Sequence, residues 1–148
     1  GDKILPVGWP LRYGRISSKN GWRGRRMHKG LDIAASARTE IFAVEAGVVT
    51  RSTVMRGYGK IVEIKHGDTY STRYAHNSKN LVKVGEEVEK GQVIALVGAT
   101  GRATGNHIHF EVRESGKAID PLKYLSAIEH MSLASNIKIS EHVVLSKK

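Results

Sequence analysis

Five residues in this chain have the types and spacing to do chemistry. His107 and His109 lie two positions apart in GNHIHFEV, His28 and Asp32 four apart in MHKGLDIA, and His76 stands in RYAHN. If GNHIHFEV is a strand, its period of two sends His107, His109 and Glu111 to one face and Ile108, Phe110 and Val112 to the other. Two imidazoles and one carboxylate are a recipe for catalytic zinc, with three protein ligands and a fourth position left for water. Zinc lowers the pKa of such a water from about 15.7 to about 7, and so makes amide hydrolysis feasible without a serine or cysteine nucleophile. Five candidates for three ligand places leave two histidines over, suited to general base catalysis and to stabilising an oxyanion near neutral pH. Each motif alone is weak; together they favour a site.

The elements that must position these residues read as β-structure. From residue 40 to 113 short β-branched or alternating runs follow one another: EIFAVEAGVVTRSTV, GKIVEIKHGD, TYSTRYAH, EEVEKGQVIALVG and HIHFEVRE, with glycines between them. VIALVG is a continuous apolar run of the kind buried on both faces. Regular strand and turn spacing with little helical periodicity predicts a sandwich or barrel. AVEAGVVTRS and KVGEEVEKGQVIALVG share a glycine-then-strand cadence that hints at a duplicated unit. Residues 14 to 30, rich in Gly, Arg and Ser, read as a long loop running into a strand at LDIAA. His28 and Asp32 would share a helix face, but Gly30 and the LDIA that follows indicate that they meet because this loop curls. After DPLKYL the rhythm stops, and SAIEHMSLASNIKISEHVVLSKK reads as a short helix, a strand at KISEHVVL, or a tail.

The 148 residues fit one domain with tails. With no cysteine present, disulfides and thiolate metal sites are excluded. Twenty-four Lys and Arg against 14 Asp and Glu give a net charge of +10, which favours a polyanionic partner. Sparse aromatics and the lack of a binding motif argue against nucleic acid, leaving anionic lipid or an acidic cell-wall polymer. VGEEVEKGQVIALVG is similar to the strand pairs of lipoyl or biotinyl carriers, but no lysine is presented at a tight hairpin. No transmembrane run is present, and a start without Met reads as a processed or excised fragment. Arg23, Arg25 and Arg26 beside Trp22 are of the type that grips carboxylates, and Asn20 stands where an extra ligand could approach. Tyr13 and Tyr74 read as groove residues or, more simply, as packed rings with surface hydroxyls. His66, His130 and His142 have no partner motif and receive no role.

MHKGLDIA, YAH and GNHIHFEV, in this order, resemble the three signatures of the lysostaphin-type (LytM-like) zinc metallopeptidases, which cleave peptide cross-links of bacterial peptidoglycan. The resemblance covers about residues 7 to 125, and includes GWPLRYGRISS, HGDTYSTRYAH, VKVGEEVEKGQVIALVGATGRATG and DPLKYL. It implies a mainly β fold, a duplicated hybrid-motif β-sandwich with a long N-terminal loop. It implies one zinc ion per chain on His28, Asp32 and His109, with His76 and His107 as catalytic histidines bracketing the activated water. The implied division is an extension at 1–6, the peptidase domain at 7–125 and a second extension at 126–148. The implied setting is periplasmic or cell-envelope associated, with a Gram-negative lean, and the implied state a monomer. Asn77 stands where active members usually place Leu, and YAHN with RGYGKIVEIKH is similar to the amidase-activating branch. The alternative expectation is therefore a catalytically silent activator whose partner is a cell-wall amidase.

Overall fold

The glycine-punctuated runs become strands. The structure is a computed structural model that describes residues 4–19, 21–23, 26–122 and 124. The strands are β1 (Arg15–Ser18), β2 (Gly21–Arg23), β3 (Arg26–His28), β4 (Leu31–Ala34), β5 (Glu40–Phe42), β6 (Gly47–Met55), β7 (Gly59–His66), β8 (Tyr70–Asn80), β9 (Glu87–Val88), β10 (Val93–Val97), β11 (His107–Glu114) and β12 (Lys117–Ile119). Ten of them form one hydrogen-bonded sheet in the order β1-β4-β11-β8-β7-β6-β9, with β10 joining β5 to β8 and β12 flanking β11; β2 and β3 form a separate ribbon. The mainly β class is therefore what the chain adopts. The two segments that share a glycine-strand cadence lie side by side, since β9 pairs with β6 at Gly47↔Val88.

Alternation places the core. Leu31 and Ile33 of β4, and Ile108, Phe110 and Val112 of β11, are fully buried, as are Tyr74 on β8 and Ile94 and Val97 on β10. Each large apolar side chain of this kind contributes about 1.5–3 kcal/mol on burial. The opposite face of the sheet carries charge in register across four strands: Glu111 on β11 is paired with Arg73 on β8, Arg73 with Glu63 on β7, and Glu63 with Arg51 on β6. Signs alternate along this row, as cross-strand neighbours require. Arg73 and Arg51 hold Glu63 at 2.6 and 3.2 Å.

β8 turns a corner at the site. Its Tyr70–Ala75 half pairs with β11, its Asn77–Asn80 half pairs with β10, and the change of partner falls at His76, whose φ is +66°. A left-handed conformation is uncommon for a non-glycine residue and persists only where its surroundings fix it. Here the His76 N–H donates to the Tyr58 carbonyl at 2.8 Å and its Nδ1–H to the Thr100 carbonyl at 2.7 Å. Asn77 points inward, fully buried, its amide donating to the Tyr74 carbonyl and to Asn80 Oδ1. The unusual residue after His76 thus serves the corner.

One expectation is corrected. Residues 14 to 30 are not a continuous loop: β1 pairs with β4, and β2 with β3. Strands of three or four residues are too short for alternation to mark them in the sequence, even though β1 alternates exposed with half-buried positions. The expectations for Asn20, Arg25 and everything after residue 125, including His130, His142 and KISEHVVL, lie outside the described residues, as do those for the side chains of Trp22, Arg23 and Arg26.

Candidate metal centre

Register and one glycine bring the first three residues together. β11 pairs with β4 so that His109 is directly opposite Asp32, and paired side chains share a face. His28 ends β3 and returns through Lys29 and Gly30. A Cβ on Gly30 would collide with the Phe110 carbonyl and lie 2.9 Å from both the Glu111 side chain and the His109 ring. Only glycine lets the β3–β4 turn lie this close to β11. As a result His28 Nε2 is 3.2 Å from Asp32 Oδ2, and His109 Nδ1 is 2.8 Å from Asp32 Oδ1. One ligand atom from each of the three residues lies within 4.8 Å of the others. Zinc–nitrogen and zinc–oxygen bonds of about 2.0–2.2 Å in a tetrahedron place ligand atoms about 3.4 Å apart. Small side-chain movements reach that spacing.

The far nitrogen of each imidazole fixes which atom faces the centre. His28 Nδ1–H donates to the Lys19 carbonyl at 2.7 Å, leaving Nε2 bare. His109 is turned the other way, with Nε2–H on Glu111 Oε2 at 2.7 Å, so its Nδ1 faces Asp32. Glu111 is fully buried and accepts also from Arg113 Nε at 2.8 Å and the Tyr58 hydroxyl at 2.9 Å. A carboxylate behind a ligand imidazole sets its tautomer and raises its basicity. Burial pushes the Glu111 pKa up, but the bonds from His109, Arg113 and Tyr58 outweigh it and hold it at about 2. Burial likewise disfavours a charged His109, yet Asp32 on one side and Glu111 on the other raise its pKa to about 9. The Asp32 carboxyl, despite burial, is held below its usual value by His109, His28 and His107. The protein therefore draws positive charge to the space between His109 Nδ1 and Asp32, which is what a cation there supplies. The donor set fits zinc.

His76 and His107 close the other side. Their rings are 4.7 Å apart, and His107 Nε2 is 3.9 Å from Asp32 Oδ1. His107 Nδ1–H donates to the Gly105 carbonyl at 2.9 Å, so both histidines present a bare Nε2 toward the site. Burial lowers the His76 pKa, against the pull of the Thr100 carbonyl. All five residues line one open pocket of about 490 Å³. Tyr74 does not line it and its hydroxyl is not at the surface: the residue is fully buried, and its oxygen accepts from the Val44 N–H at 3.1 Å. Tyr13 is exposed and also lies off the pocket lining. In the glycine-rich GATGRATGNH segment the backbone approaches its neighbours closely at Gly98, where a Cβ would meet the Ser78 backbone at 2.5 Å, and at Gly101, where it would collide with Gly59.

Residues 26–121 match the profile of peptidase family M23, a span that contains all five site residues. The chain belongs to peptidase family M23. This M23 chain is 46% identical over 99 residues to the murein hydrolase activator NlpD of Escherichia coli K12, across 66% of the chain and 26% of NlpD. It is 40% identical over 121 residues to the lipoprotein NlpD/LppB homologue of Pseudomonas aeruginosa, across 79% of the chain and 39% of that protein. It thus spans about a quarter to two-fifths of these relatives. Among solved structures it resembles a zinc-containing peptidase of Vibrio cholerae, with 36% identity and a TM-score of 0.67, over 78% of the chain and 40% of that protein.

The pocket is also lined by residues to which motif reading assigned no role. Glu111 could have been found, since it shares the strand period of His107 and His109. Tyr58 and Arg56 could not, because a glycine-bearing turn brings them to the pocket from far along the chain, and Arg102, though only five residues before His107, stands in a loop without a motif of its own.

Proposed function

We propose that this M23 domain is a zinc-dependent endopeptidase that hydrolyses peptide cross-links of bacterial peptidoglycan. The observation that carries the reading is the convergence of His28 Nε2, Asp32 and His109 Nδ1, each ring fixed by a partner behind it, with two further bare Nε2 atoms opposite. His28, Asp32 and His109 would hold zinc, which supplies Lewis acidity and a water acidified to a pKa of about 7. The chain's own residues do the rest. With Nδ1–H of His76 and of His107 committed to backbone carbonyls, each Nε2 is the atom that exchanges protons. One takes the proton of the attacking water and passes it to the leaving amine; the other, protonated, donates to the oxyanion of the tetrahedral adduct. Glu111 and Lys19 keep the ligand rings from turning. The net charge of +10 suits an anionic wall, and a relative described as a lipoprotein supports a cell-envelope location. D-Alanyl–diaminopimelate cross-links are the substrate we favour.

A second reading is favoured by the similarity to a murein hydrolase activator. In it the domain is catalytically silent and acts by contact with a cell-wall amidase. Metal analysis of the purified protein and of a His109→Ala variant, alongside digestion of cross-linked muropeptides, separates the two. The peptidase reading expects about one zinc per chain, lost in the variant together with cleavage. Zinc without cleavage, or no zinc in the wild type, would transfer the case to the activator, for which stimulation of a purified amidase is the direct assay.

A further inference from the structure

Three cations line the metal pocket, and among the described residues none has an acidic partner: Arg56, Arg102 and Lys29. The nearby carboxylates are already committed. Asp32 faces His28 and His109, and Glu111 is held by His109, Arg113 and Tyr58. The pocket therefore offers unspent positive charge even before a metal is counted.

Two of the three are placed with care. Arg56 lies in the β6–β7 turn and Arg102 in the β10–β11 loop, and these segments meet backbone to backbone. A Cβ on Gly59 would collide with the Thr100 backbone, and one on Gly101 with Gly59 itself. Gly57, Gly59 and Gly101 have φ of +86°, +67° and +74°, in the region that glycine enters without strain. The Arg102 N–H donates to the Gly57 carbonyl at 3.1 Å and the Lys60 N–H to Thr100 Oγ1 at 3.0 Å. Arg102 is thus bonded to the residue that follows Arg56, so the two side chains spring from adjacent backbone. The same two segments grip His76, through the Tyr58 and Thr100 carbonyls. Lys29 stands apart, beside His28 in the β3–β4 turn.

We infer that Arg56 and Arg102 form a carboxylate-reading rim on the His76 side of the pocket, which selects cross-links bearing a free carboxylate beside the scissile bond over uncharged bridges such as polyglycine. The substrate half of this inference rests on the peptidase reading; the binding half does not. Guanidinium forks match a carboxylate in two-point geometry, and a concave pocket lined by unpaired positive charge concentrates the field. A single exposed ion pair would be weak, so the two arginines act as a pair.

The test removes the charge from each side in turn. The probes are an alanyl–diaminopimelyl muropeptide dimer with free carboxylates, the same dimer with those carboxylates converted to amides, and pentaglycine. The proteins are the zinc-loaded wild type, the Arg56→Gln/Arg102→Gln double variant, and Lys65→Gln, which removes an exposed cation at the far end of β7. The wild type should cleave the free-acid dimer with kcat/KM about tenfold or more above the amide and above pentaglycine. The double variant should lose about tenfold on the acid and less than about threefold on the amide, while Lys65→Gln keeps the wild-type ratio. Equal losses on acid and amide, or a wild type indifferent to the substitution, would overturn the rim. If the wild type cleaves nothing, the peptidase reading fails, and calorimetric binding of the two dimers decides the rim alone. Tighter binding of the acid that disappears in the double variant supports it; equal binding removes it.

Discussion

His109 and His66 are both buried strand histidines with both ring nitrogens in hydrogen bonds, yet the protein puts them to opposite ends. His109 stands between two carboxylates, Asp32 at 2.8 Å and Glu111 at 2.7 Å. His66 stands between a carbonyl and a hydroxyl: Nδ1–H donates to Ala46 at 2.7 Å, and Nε2 is 2.8 Å from Thr72 Oγ1. Thr72 Oγ1 is in turn 2.7 Å from the Tyr74 hydroxyl, whose oxygen already accepts the Val44 N–H. Two proton arrangements satisfy this chain: a neutral His66 accepts from Thr72, which then accepts from the Tyr74 hydroxyl, or a charged His66 donates to Thr72, which then donates to Tyr74. Burial then keeps the His66 pKa low despite the Ala46 carbonyl, while the carboxylates around His109 lift it to about 9. Burial is common to both; the charge of the neighbours differs. A buried imidazole among neutral partners locks a core, and one between carboxylates invites a cation.

The largest effect should come from taking away the carboxylate behind His109. Glu111→Ala leaves Arg113 and His109 facing a buried gap, which should cost about 3–5 kcal/mol in chemical denaturation. Zinc affinity, measured by competition with a chromophoric chelator, should fall about 10–100-fold. Glu111→Gln keeps the volume and part of the bonding, so it should recover most of the stability while leaving a weaker zinc site. If Glu111→Gln binds zinc like the wild type, the carboxylate is only filler. On the other side of the comparison, His66→Phe breaks a neutral chain and should cost about 1–3 kcal/mol with zinc affinity unchanged. A loss of zinc in that variant equal to the loss in Glu111→Gln would erase the distinction between the two histidines.

This contrast also marks what could be read from the sequence. H-x-H on a strand fixes the faces of three residues at once, so Glu111 was legible as a neighbour of His107 and His109. Whether it held a ligand depended on the depth of burial and on Arg113. His28 and Asp32 were legible as a pair, but the reason they meet is the contact of Gly30 with Phe110, a tertiary event. The row Glu111, Arg73, Glu63, Arg51 is set by register across four strands, which spacing along the chain cannot give. Residues 14 to 30 misled because strands of three or four residues offer too few positions for a period of two to show in the sequence. His66 looked idle for the opposite reason: its partners, Ala46, Thr72 and Tyr74, carry no charge and form no motif.

The smallest predicted effect is an acid limb belonging to His66. Its folded pKa lies below the ordinary value of about 6.5, so the unfolded chain takes up the proton first as pH falls. Stability from this group is complete above about pH 6.5 and is lost as pH falls from there toward the lowered folded value, at no more than about 1.4 kcal/mol per pH unit. The charges near it offset one another, since Glu45 favours its protonation and Lys90 opposes it, and these two are themselves paired at 3.6 Å. His76 is shifted in the same direction, so the share of His66 must be taken as a difference. Denaturation of the wild type and of His66→Gln between pH 7 and 5 supplies it, in a window that lies above the titration of carboxylates in the unfolded chain. The gap in stability between the two should narrow as pH falls. A gap that stays constant would mean that folding does not shift the His66 pKa; one that widens would mean that His66 already carries a proton in the fold, and the chain through Thr72 and Tyr74 would run the other way.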